Sequence, residues 1–147
     1  MENVALSGIT AAFLPGVPSQ GTTSTTSFTA VSGAIRGYGF NKAASANLAG
    51  LAAALQATGT TCLYLFQVTA AGVISVKKSD EEVVTPTATN GVPAVGLQWP
   101  RADVGNCPIG GVRIRATAPF THGTTTQGAQ ATFYGFAGGY PADTVES

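Results

Sequence analysis

The chain has 147 residues, zero formal net charge and charged side chains at only 10% of its positions, so it can bury a core of its own but carries few groups that do chemistry. One histidine and two widely separated cysteines supply no converging set of metal ligands and no spaced nucleophile and base. The neutral balance argues against direct binding of nucleic acid, no apolar run reaches the ~20 residues of a membrane-spanning helix, and a surface this sparsely charged favours association.

Residues 1–26 read as an extended N-terminal arm, because Pro15, Gly16, Pro18 and Gly21 interrupt regular structure. The start, Met1-Glu2-Asn3, has no basic run and is not read as a signal peptide. The arm still carries Leu6, Ile9, Phe13, Leu14 and Val17, which would gain from burial against a neighbour, so these are candidate assembly contacts. The stretch Gly21-Thr22-Thr23-Ser24-Thr25-Thr26-Ser27 has no apolar face; it is expected to be disordered or extended against something else.

A single domain is expected over 27–141, with a frayed tail at 142–147. Phe28 to Ile35 alternates apolar and small residues and predicts a strand. Asn41 to Gln56 predicts the one helix: Leu48, Leu51 and Leu55 recur at helical spacing among seven alanines, with Asn41 or Ser45 as cap and Gly59 as terminator. Cys62–Val68, the turn Thr69-Ala70-Ala71-Gly72 and Val73–Lys77 predict a β-hairpin. Both faces of its first strand are apolar, so both should be covered. Lys77-Lys78-Ser79-Asp80-Glu81-Glu82 reads as a solvated exit from the hairpin.

A short strand is expected around Ala94–Trp99. Pro108 to Ala116 predicts a strand with Val112, Ile114 and Ala116 inward, which places Arg113 and Arg115 together on the other face as further candidate assembly contacts. A Thr/Gly/Gln loop over Phe120–Gln130 precedes a closing strand, Ala131–Phe136. His122 lies in that loop and is expected to be exposed; its replacement should leave melting unchanged. Cys62 and Cys107 read as reduced, apolar thiols. No cofactor, metal or catalytic residue is expected. Gly37-Tyr38-Gly39-Phe40-Asn41-Lys42 departs from phosphate-loop spacing. The order of elements fits a mainly β fold: an antiparallel β-sandwich or barrel with one Ala-rich helix and an extended N-terminal arm.

The run Leu63–Val76, then Cys107–Ile114, the Thr-rich loop Phe120–Thr126 and Ala131-Thr132-Phe133-Tyr134 resemble, in style and order, small structural proteins of tailed bacteriophage virions, including head decoration or cement proteins. The resemblance covers about residues 60–136. It implies a non-enzymatic protein in the virion, assembled in the host cytoplasm. It also implies several copies per particle, a homo-oligomer, and the major capsid protein or other virion proteins as partners. A tail, fibre or head-fibre component is the near alternative. A carbohydrate-binding β-sandwich is another, with Trp99, Tyr38, Tyr64, Tyr134 and Tyr140 as stacking platforms.

Overall fold

Alternation of apolar and small residues, with little to sustain a helix outside the alanine tract, gives a chain built from strands. A computed structural model describes residues 10–14, 16–48, 55–83 and 98–136. Among these residues the regular structure is thirteen strands and one 3₁₀ turn, Gly128–Gln130. The strands are β1 (Ala11–Leu14), β2 (Pro18–Gln20), β3 (Thr26–Phe28), β4 (Val31–Ile35), β5 (Tyr38–Lys42), β6 (Ser45–Leu48) and β7 (Leu55–Gln56). They continue with β8 (Thr60–Thr69), β9 (Ile74–Lys78), β10 (Glu82–Val83), β11 (Asn106–Arg115), β12 (Phe120–Thr121) and β13 (Ala131–Gly135).

The main sheet is centred on β8 and β11, which run antiparallel from Cys62 opposite Ile114 to Val68 opposite Cys107. β13 flanks β11, and β9 and β10 share the other side of β8. The predicted hairpin is present: Val68 faces Ile74, and Gly72 turns the chain at φ +82°, a conformation that costs glycine little. Every residue from Cys62 to Val68 is buried, so β8 is covered on both faces as its composition requires. Cys62, Tyr64, Phe66 and Val68 point to one face, where they meet Val112 and Ile114 of β11. Ala12, Phe28, Val31, Ile35 and Phe40, from the sheets β1-β4-β5 and β2-β3-β6, complete that core. The fold is thus mainly β, in several antiparallel sheets with no closed barrel among the described residues.

The opposite face of β8 and β11 is covered near Trp99. A Cβ on Gly111 would run into the indole and come within 2.7 Å of the Tyr64 carbonyl, so glycine here makes room for the ring. Trp99 then packs edge-to-face on Tyr134 and Phe136, with centroids 5.4 and 5.0 Å away. Asp103 ties the same segment down. Its carboxylate accepts from Gln67 Nε2 at 2.6 Å and from Lys77 Nζ at 2.8 Å, and its N–H donates to Gln67 Oε1 at 2.7 Å.

Two expectations need correction. The predicted helix is not formed over the parts described: residues 41–48 and 55–56 belong to β5, β6 and β7 or the links between them. The alanines favour a helix by a few tenths of a kcal/mol each, and specific tertiary bonds override that preference. Asn47 takes φ +54°, which no α-helix admits, and its Oδ1 accepts from Thr22 N at 2.8 Å and Thr25 Oγ1 at 3.1 Å. Gln56 is fully buried; its amide donates to the Thr60 and Ile114 carbonyls and accepts from the Tyr64 hydroxyl. Residues 49–54, with Leu51, lie outside the described residues.

The arm is likewise not detached over residues 10–26. β1 pairs with β4, with Ala12 fully buried opposite Gly33, and β2 pairs with β3. Gly33 is what admits β1, since a Cβ there would strike the Ala11 carbonyl and stand 2.8 Å from Ala12 Cα. Phe28–Ile35 is two strands, β3 and β4, in different sheets. Trp99 is not in a strand, and residues 1–9, 84–97 and 137–147 lie outside the described residues.

Candidate functional site

Among the described residues β1 is an edge strand of its sheet, and an edge offers unpaired backbone groups to another chain. Strand alternation would bury one of Phe13 and Leu14. Instead Ala12 faces Gly33 while Leu14 faces Ser32, so Phe13 is an inserted residue. The bulge turns both side chains outward, at 63% and 56% exposure. Val17 follows at 60%. No Asp, Glu, Lys or Arg occurs between Glu2 and Arg36, so this apolar edge has no charge in its own stretch of chain. Three of the predicted assembly contacts are therefore brought together by sequence and by the bulge. Leu6 and Ile9 lie outside the described residues.

Arg113 and Arg115 stand on β11, on the face away from Val112 and Ile114, as expected. Both are half-buried. Arg113 donates to Thr132 Oγ1 at 3.1 Å and to the Tyr134 hydroxyl at 3.4 Å, which ties it to the neighbouring β13. Arg115 borders an open cleft with Thr117, Thr126, Gln127 and Gln130. The hairpin exit is partly structural: Glu81 pairs with Lys78 at 2.7 Å and also accepts from Ala57 N and Thr60 Oγ1. The Lys78 hydrogen bond is the main reason its carboxyl lies below the usual range.

His122 is not exposed. Burial to 2% follows from the loop folding back over β8, where the ring stacks on Tyr64 and meets Phe66 edge-on. Nε2 is 2.9 Å from Thr26 Oγ1, and Nδ1 has no partner among the described residues. Loss of hydration pushes its pKa down to about 4. The expectation that His122 is dispensable for stability therefore changes. His122→Ala should cost roughly 2–5 kcal/mol, as truncation of a large buried side chain does, and urea denaturation at pH 7 measures it.

Cys62 and Cys107 are free and buried, in keeping with the reading of both as reduced, apolar thiols. Burial pushes both thiols up, Cys107 to about 11, while the Ser79 hydrogen bond partly offsets the rise at Cys62. Neither should react with a thiol reagent in the native protein at pH 8, whereas both should titrate promptly in denaturant; release of chromophore from Ellman's reagent reads both states.

Of the proposed stacking aromatics, Trp99 and Tyr134 meet edge-to-face, and the others do not join them. Tyr64 is fully buried, Trp99 is packed on Gly111, Tyr38 is exposed on β5, and Tyr140 lies outside the described residues. What sequence reasoning missed is a junction between its two Thr-rich segments. Gly123 N donates to Ser24 O at 2.9 Å, Gln127 N to Thr23 O at 2.8 Å, and Ser24 Oγ to Gly123 O at 3.1 Å. The signal was available: two polar segments with no apolar face each need a partner for their backbone groups.

No helix among the described residues is long and apolar enough to cross a membrane. No family model matches the chain, and no curated protein or solved structure matches it.

Proposed function

We propose that this chain is a non-enzymatic virion structural protein, a decoration or cement subunit that joins neighbouring shell subunits through the β1 edge. In this reading the fold is an antiparallel β-sandwich, the partners are the major capsid protein and further copies of the chain, and the site of action is the virion. The observation that carries it is the outward pair Phe13 and Leu14 on the edge strand β1, with exposed Val17 three positions on, in a stretch without charge. A bulge that exposes two large apolar residues in succession opposes the usual protection of sheet edges. Its natural use is a contact with another chain.

Burial of each such side chain is worth up to about 1.5–3 kcal/mol, while association costs several kcal/mol in lost freedom. One contact of this kind is weak, and repetition over a shell makes it effective. The test is immunogold electron microscopy of particles from cells that make the chain. Evenly spaced label over the heads is expected. Label confined to tails or fibres would move the protein to another virion part, and unlabelled particles would overturn the virion reading.

A further inference from the structure

Thr26 Oγ1 accepts from Gln127 Nε2 at 3.0 Å and also meets His122 Nε2, so one hydroxyl joins β3 to both ends of the 122–127 loop. Gln127 Nε2 reaches the Ser24 carbonyl as well, at 3.4 Å. With the three backbone-directed bonds of the junction, these contacts hold two segments about a hundred positions apart (Ser24 to Gln127 is a separation of 103). One of them ends on an imidazole whose Nδ1 has no partner among the described residues. A neutral ring can share one proton with Thr26. A protonated ring has two N–H donors, and among the described residues Nδ1 has no acceptor to offer one to.

The groups around the ring do not help the cation. Tyr64 of β8 is the titratable group that faces it, and burial raises the phenol's own pKa, so it stays neutral. Phe66 of β8, Thr26 of β3 and Gln127 of the loop are uncharged. Stacking on Tyr64 gives a cation some attraction, but removal of water from around a buried ring disfavours the charged form and pushes the pKa down.

We propose that His122 makes the junction of residues 22–26 and 122–127 a proton-operated latch, which opens locally in mild acid while β8 and β11 stay paired. The latch lies within one chain and does not depend on the assembly reading. In the open form the ring regains water and an ordinary pKa of about 6.5. The closed form, at about 4, binds the proton less well, so the closed form is favoured in full above pH 6.5 and progressively less as pH falls towards 4. Linkage makes opening roughly 25-fold more frequent at pH 5 than at pH 7, with a ceiling of roughly 300-fold. His122 is the one histidine of the chain, so it is the side chain whose ordinary charge change falls in this interval.

Amide hydrogen exchange by NMR on the full chain tests the proposal, with rates corrected for intrinsic exchange and repeated in low urea. At pH 7 the amides of Gly123 and Gln127 should be less protected than those of Tyr64 and Val112, and insensitive to low urea. Their protection should fall roughly 25-fold at pH 5. His122→Phe, or His122→Gln should the first fail to fold, should remove that fall. Unchanged protection at Gly123 and Gln127 between the two pH values would overturn the proposal. So would equal protection of latch and sheet amides, since the junction would then open only by global unfolding.

Discussion

Phe66→Ala should lower stability by about 3–5 kcal/mol, the range for loss of a fully buried aromatic ring. Phe66 is 0% exposed and occupies the place where the sheets meet. Its ring lies 5.0 Å from that of Phe28, which comes from the β2-β3-β6 sheet, and it also takes His122 edge-on. Phe28 in turn fills the space over Gly110, where a Cβ would stand 2.8 Å from Cε1. Removing Phe66 therefore leaves Phe28 and His122 facing a void that rigid strands cannot close. Against a total of about 5–15 kcal/mol for a typical domain, the loss is a large fraction, and it corresponds to a fall in melting temperature of roughly 6–20 °C. Phe13→Ala is the control: at 63% exposure it should change stability by about 0.5 kcal/mol or less. Thermal melting by circular dichroism reads both. A loss below about 1 kcal/mol at Phe66 would mean that the two sheets do not share this core.

The hairpin and the two long central strands were legible because each residue there reports its own environment. Leu63 to Phe66 is apolar without a break, a run that suits a strand covered on both faces, and Val112, Ile114 and Ala116 alternate with the arginines. The β-rich class followed from those segments. Of the alanine tract, the described residues Ala43, Ala44 and Ala46 misled because alanine fits a helix well but also fits a strand or link that needs no bulk. Side-chain bonds from Asn47 to Thr22 and Thr25 and from Gln56 to Ile114, partners far off in sequence, decided between the two. Propensity is local, and those bonds are not.

The candidate surface was legible in part. Phe13, Leu14 and Val17 stood out as apolar residues among chain breakers, and the breakers concealed the strands between them. The pairing of β1 with β4 depends on Gly33, whose missing side chain gives no sign of what approaches it. His122 was misplaced for a similar reason. Glycine and threonine around it suggest a turn in water, and the residues that bury it, Tyr64 and Phe66, lie more than fifty positions earlier. Burial of this kind is a property of the closed loop, which a linear pattern does not encode.

The largest effect on association should come from the β1 edge. Phe13→Asp with Leu14→Asp places two like charges on a strand edge that otherwise has none nearby in sequence. Neither side chain contributes to the core, so folding should be unchanged, whereas a contact formed there would have to desolvate both carboxylates. Each buried, unpaired charge costs several kcal/mol, more than the apolar gain it replaces. The measurement is sedimentation velocity of the parent and the double variant over a range of concentrations, with circular dichroism as the check on folding. The parent is expected to form species larger than its 14.7 kDa monomer as concentration rises, and the folded variant is expected to remain monomeric. Identical sedimentation of the two proteins would contradict the account.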